Sequence, residues 1–204
     1  MRRAVLLCLV LLSGLAVALA DPPGRFDYYV LSLSWSPQYC AGHEDQAQCT
    51  RPYGFVVHGL WPQNESGYPR DCGVPPRLGE DIIGRMLPLM PSRGLIIHEW
   101  RTHGACSGLA ADDYFGAVER AYRGVHVPSR YSALGEYLSL DAVQLKQDFA
   151  AANPGLDRRD LALACSGHYL QEVRVCLDRS LNPRACSGDV RDRCGETVVL
   201  RPVR

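Results

Sequence analysis

The chain has no surplus of positive charge. Its 204 residues carry 22 Lys and Arg against 22 Asp and Glu, and Lys146 is the only lysine. That balance excludes a protein that holds nucleic acid by bulk electrostatics; a nucleic-acid substrate would have to be gripped locally and briefly. After the N-terminal segment no apolar stretch approaches the length of a membrane span. There is no internal repeat, low-complexity tract or linker. No C-x-x-C pair occurs among the nine cysteines, which argues against structural zinc. The run from His98-Glu99 to His103 spaces its histidines five apart, whereas the helix of a zinc protease needs four. On an α-helix, positions five apart lie ~140° from each other and cannot share one ion. No metal and no cofactor is expected.

The N-terminus has the pattern of a secretory signal. Arg2 and Arg3 precede an apolar run from Ala4 to Val17, and Ala18-Leu19-Ala20 is a small-x-small cleavage site. Residues 1–20 are thus expected to leave, Cys8 with them, and residues 21–204 to form one domain. The mature chain would have 184 residues, 20 basic and 22 acidic, and could bury a core without a metal. Its eight cysteines, an even number behind a signal peptide, read as a disulfide framework. Eight cysteines allow 105 pairings, and spacing alone chooses none of them.

The pattern along the chain is strands, then helices, then strands, which predicts an α+β fold: a central antiparallel sheet with helices packed on it. Phe26 to Trp35 alternates, with Tyr29, Leu31, Leu33 and Trp35 on the buried side. A loop with two cysteines follows, then a short strand from Tyr53 to His58 and a long Pro- and Gly-rich loop from Trp61 to Pro76. Helices are predicted over Glu80 to Met90, Ile96 to His103 with a stop at Gly104, Asp112 to Gly124, and Asp141 to Ala152. Strands return over His168 to Leu177, with Tyr169, Gln171, Val173, Val175 and Leu177 on one face, and over Thr197 to Arg201.

Two segments carry the chemistry: Phe55-Val56-Val57-His58-Gly59-Leu60-Trp61-Pro62 and His98-Glu99-Trp100-Arg101-Thr102-His103-Gly104-Ala105-Cys106. Together they hold three of the six histidines, two of the three tryptophans and a carboxylate. Histidine gives or takes a proton near neutral pH. Two imidazoles on separate elements suit an in-line displacement at phosphorus, one as base and the other as acid. Glu99 and His103, four apart on a helix, share a face, so the carboxylate is expected to raise the pKa of that imidazole and orient it.

These two strings resemble the active-site signatures of the ribonuclease T2 family, in order and spacing. The strand leading to Cys40, the Asp71-Cys72 pair and the cysteine-rich tail fit as well. The resemblance implies a secreted, bacterial periplasmic-type member that cleaves single-stranded RNA without metal, through 2′,3′-cyclic phosphate ends, as a monomer. It assigns His103 as general base, His58 as general acid, Glu99 as transition-state support and His98 as a phosphate ligand. Trp61 and Tyr68 would sandwich a base that Gln63 touches, and Pro91 and Ser92 would belong to a second base site. DNA, lacking the 2′-hydroxyl, would be inert. The implied disulfides are Cys72–Cys106, Cys165–Cys194, Cys176–Cys186 and, by remainder, Cys40–Cys49. Two positions depart from the family: Thr102 stands where a lysine is usual, and Ser34 where many relatives have glutamine. If charge stabilisation is found elsewhere, His98 and Arg101 are the next residues to consider. The alternatives are a catalytically weak member that acts as a secreted RNA-binding or regulatory protein, and an unrelated disulfide-bonded binding module.

Overall fold

The computed structural model describes residues 20–44 and 46–204, so the predicted signal peptide, apart from Ala20, lies outside the described residues. Strands β1 (Tyr28–Trp35), β2 (Phe55–Gln63), β3 (Leu138–Asp141), β4 (Leu161–Ser166), β5 (Tyr169–Leu177) and β6 (Thr197–Leu200) form one sheet. The order is β2-β1-β5-β6-β3, with β4 also paired to β5. The β5–β6 contact at Tyr169 and Val199 is parallel and the other pairings are antiparallel, so the sheet is mixed where an antiparallel one was expected.

Short helices α1 (Ser36–Tyr39) and α2 (Gln46–Cys49) occupy the cysteine loop, and α3 (Glu80–Met86) ends just before Leu87 and Pro88. Helix α4 (Arg93–Glu99) runs into a π turn (Trp100–Gly104) and then α5 (Ala105–Ser107). The predicted stop at Gly104 is therefore passed. The helix ends instead at Gly108, whose φ of 73° is the left-handed conformation that favours glycine. Helices α6 (Ala111–Arg123) and α7 (Ala142–Ala152) follow their predicted spans closely.

The main core takes Tyr29, Leu31, Leu33 and Trp35 from β1 and packs them under Ile96, Trp100, Phe115 and Val118. The other face of β1 is also buried: Tyr28 and Val30 join a smaller cluster with Ala162, Cys176 and Val190. Alternation alone suggested a strand with one buried face; the second is covered by the C-terminal segment, too distant in sequence to be read locally.

Two β-bulges set the register around the future site. Ser32 pairs with Gly59 but Leu33 pairs with Val57, which leaves His58 as an extra residue in β2. The bulge lets Val57 and Leu60, three apart, both reach the main core. In β5, Ala164 pairs with Glu172 but Cys165 pairs with Leu170, so Gln171 is the extra residue. Leu170 and Val173 consequently share the core, while Gln171 is exposed and does not share the face predicted for it.

Disulfides join Cys40 to Cys49, Cys72 to Cys106, Cys165 to Cys194 and Cys176 to Cys186, the pairs that the resemblance implies. The second ties the loop after β2 to α5. At the start of α7 the Asp141 carboxylate accepts hydrogen bonds from the backbone N–H groups of Val143 (2.6 Å) and Gln144 (3.4 Å). Asp141→Ala leaves those donors without their cap, and urea denaturation is expected to show a loss of about 1 kcal/mol with activity unchanged.

Candidate active site

The site lies on the sheet face opposite the main core, and its floor is made of small residues. Across β2, β1, β5 and β4, one row reads Gly59, Ser32, Arg174 and Ala162. The next places Ser34 beside Glu172 and Ala164. Small side chains on the flanks leave room for the large ones that rise from the floor: His58, Glu172 and Arg174.

His58 owes its position to the bulge, which turns both it and Gly59 toward this face. Its Nδ1–H donates to Glu172 Oε1 at 2.6 Å, and its Nε2 lies 3.6 Å from Glu99 Oε1. The Glu172 carboxylate accepts at its other oxygen from Arg174 Nε (2.9 Å) and Nη2 (2.7 Å). Burial works to raise the pKa of Glu172. The His58 hydrogen bond and the Arg174 charge outweigh it and hold the group down to about 2. Burial likewise opposes a charged His58, but its hydrogen bond to Glu172 and the charge of Glu99 carry its pKa above the ordinary histidine value.

Glu99 is buried, only 1% exposed, and occupies space that a side chain at position 59 would fill. A Cβ on Gly59 would lie 1.9 Å from Glu99 Oε2 and 2.5 Å from Trp61 Nε1. The Trp61 indole N–H donates to Glu99 Oε2 at 2.8 Å, while Oε1 has no hydrogen-bond partner among the described residues. Burial is the main reason that the Glu99 carboxyl is pushed up to about 7.

This differs from the expected pairing of Glu99 with His103. The π turn accounts for the difference: the Ala105 N–H bonds back to the Trp100 carbonyl, five residues earlier, and the widened turn breaks the i, i+4 alignment. Glu99 faces His58 instead. His103 packs on Trp61, with ring centroids 5.3 Å apart, and Trp61 lies 5.2 Å from the His58 ring on another side. The pKa of His103 is not raised but lowered to about 3, by burial first and then by the charges of His98 and His58.

Two grooves meet here. One, about 610 Å³, is lined by Trp61, Gln63, Tyr68, Thr102 and His103. The other, about 440 Å³, is lined by Ser34, Tyr39, His43, His58 and Glu172. The Gln63 amide donates to the Gly67 carbonyl at 2.6 Å and fixes the loop that carries Tyr68, and Arg70 covers the Tyr68 ring at 4.3 Å. His98 is exposed on α4 and lines neither groove, though its charge acts on His103. Pro91 and Ser92 sit at the start of α4, also outside both groove linings. Arg101 turns to a separate hollow beside Val74 and Arg77. Among the described residues no group of three or more His, Cys, Asp or Glu is placed to hold a metal ion.

Glu172 and Arg174 were missed in the sequence. The signal was there: two opposite charges, two residues apart, in a strand otherwise rich in Val and Leu.

Residues 26–186 match the ribonuclease T2 family. The chain belongs to the ribonuclease T2 family. A ribonuclease of Aeromonas hydrophila is 34% identical over 221 residues, covering 100% of both chains. Ribonuclease I of Escherichia coli is 28% identical over 266 residues, covering 98% of this chain and 96% of the relative. Among solved structures, an RNase-related protein from Calystegia sepium superposes with a TM-score of 0.70 at 19% identity, over 88% of this chain and 98% of the other. Trichomaglin, an S-like ribonuclease, gives 0.69 at 20%, over 88% and 100%. These two likenesses speak for the fold. The T2 membership and the named relatives make this chain an endoribonuclease with RNA as substrate.

The buried Glu99 gives this T2 site a pH-dependent cost. Its pKa lies above the ordinary carboxylate value, so the folded protein holds a proton that the unfolded chain gives up. The associated stability is present at low pH and lost as pH rises through about 7. In urea denaturation, wild type is expected to lose about 1–3 kcal/mol between pH 5 and pH 8 relative to Glu99→Gln. Equal pH dependence in the two proteins would contradict the assignment.

Proposed function

We propose that the protein cleaves single-stranded RNA by metal-independent transesterification, with His103 as general base and His58 as general acid. His103 takes the proton of the ribose 2′-hydroxyl. The oxygen attacks phosphorus, the bond to the 5′-oxygen breaks, and His58 delivers a proton from Nε2 to that leaving oxygen. The products are a 2′,3′-cyclic phosphate and a 5′-hydroxyl.

The observation that carries this reading is the opposed tuning of two imidazoles that flank one indole. Groups whose surroundings push their pKa values apart are suited to opposite proton roles. His103, held low, is unprotonated and free to accept. His58, raised against burial by its hydrogen bond to Glu172 and the charge of Glu99, is the more readily protonated of the two and suits the donor's role. Glu172 binds Nδ1 and so leaves Nε2 to face the cleft. Glu99, with one unpartnered oxygen toward His58, supports charge at that end of the site.

Trp61 and Tyr68 on the larger groove supply a base platform beside Gln63, as stacking requires. The smaller groove, with Ser34, is open to the base on the other side of the phosphate. His98, exposed on α4, and Pro91 and Ser92 at its start lie outside both grooves, so their placement lends no support to the phosphate and second-base contacts that the resemblance implies. Four disulfides and the N-terminal pattern favour a secreted or periplasmic location. No helix among the described residues is long and apolar enough to cross a membrane. Every group the mechanism uses comes from one chain, so a monomer suffices.

His58→Ala and His103→Ala are each expected to lower cleavage of an oligoribonucleotide by ~10²–10⁴-fold with the fold intact. Wild-type activity should survive excess EDTA, and the new ends should be cyclic phosphates. A tenth of wild-type activity in either variant removes that histidine from the relay; loss in EDTA, restored by zinc, overturns the mechanism.

A further inference from the structure

The two grooves share one lining residue, Arg174. Bases that occupy the two grooves must be joined by a phosphodiester, and its path crosses this residue. His58 and Glu172 line the groove on one side of it, Trp61, Thr102 and His103 the groove on the other.

We propose that Arg174 grips the scissile phosphate and stabilises the extra negative charge of its pentavalent transition state. The inference rests on the cleavage mechanism proposed above and adds to it the cation.

Four observations support it. The Arg174 side chain is 23% exposed, enough to meet a ligand and too little to move freely. Two of the five guanidinium N–H groups are bound to Glu172, and Nη1 has no hydrogen-bond partner among the described residues, so one edge of the fork is fixed while donors remain for phosphate. The guanidinium carbon lies 5.2 Å from the Trp61 ring, the indole that both catalytic imidazoles touch. Finally, the groove wall nearest His103 offers Thr102, which carries no charge. The remaining arginines of the larger groove stand at its rim: Arg70 lies over Tyr68, and Arg191 and Arg193 are exposed.

Glu172 does not cancel this role. An ion-paired arginine whose fork is held in place costs no reorganisation when charge develops, which is the condition under which a donor favours the transition state over the substrate. The same carboxylate orients His58, so a single group sets the spacing between the general acid and the phosphate clamp. Glu172 is a positioning residue; Arg174 touches the substrate.

The test uses the full chain and an oligoribonucleotide, with inorganic phosphate as competitive inhibitor. Arg174→Ala is expected to lower kcat/KM by ~10²–10³-fold and weaken inhibition by phosphate at least ~10-fold. The slope of log KM against log salt should fall by about 0.7, the contribution of one phosphate contact on a single strand. Added guanidinium ion at millimolar concentration should restore part of the activity. A purely structural partner of Glu172 would move none of the last three. Activity within threefold of wild type, or lost activity with unchanged phosphate inhibition, salt slope and no rescue, overturns the proposal. If Arg174→Ala does not fold, Arg174→Lys decides: a point charge cannot replace the fork, so a roughly 10-fold lower kcat and weaker phosphate inhibition support the assignment, and wild-type values of both overturn it. His58→Ala and His103→Ala, assayed alongside, separate the two readings. If they remain active the histidine mechanism fails; if they are inactive and Arg174→Ala is not, only the clamp fails.

Discussion

One carboxylate, that of Glu172, organises the histidine-bearing face of this T2 ribonuclease. It accepts from His58 with one oxygen and from Arg174 with the other. A buried anion with a single weak partner would be costly, since desolvation of a charge outweighs most single contacts. With two cationic partners it is held ionised. The imidazole tautomer, the direction of Nε2 and the placement of the guanidinium follow from that one group.

A second carboxylate works in the opposite way. Glu99 is buried with one indole donor and one unpartnered oxygen, and its pKa rises instead of falling. The contrast is one of partners, since both groups are largely removed from water. It also explains two glycines in the signatures. Gly59 exists because a Cβ there would collide with Glu99, and Gly104 because a Cβ would meet the Trp100 ring at 2.2 Å. The first keeps the carboxylate in the site; the second lets the π turn close against the core.

Much of this was legible in the sequence. The alternation of β1, the spans of α6 and α7 and the two histidine segments depend on neighbours a few residues away. What was not legible depends on register. The bulge at His58 exists only in relation to Ser32 and Leu33 across the sheet, and without it β2 reads as a shorter strand with a turn at Gly59. The π turn changed Glu99's partner from His103 to His58, a shift of one hydrogen-bond register that helical periodicity cannot foresee. Strands β3 and β4 are short and polar or small in composition. Glu172 and Arg174 enter the site from a strand more than a hundred residues beyond His58, where spacing carries no information about contact.

The central claim is that the two histidines divide the proton work, His58 toward the leaving oxygen and His103 toward the attacking one. Replacing the bridging 5′-oxygen of an RNA dinucleotide by sulfur removes the need for a general acid, because a thiolate leaves without a proton. Cleavage of that substrate is the direct measurement. The account predicts that His58→Ala cleaves it at nearly the wild-type rate while His103→Ala remains deeply impaired. Equal impairment of the two variants, or recovery of His103→Ala in place of His58→Ala, would contradict the assignment of roles.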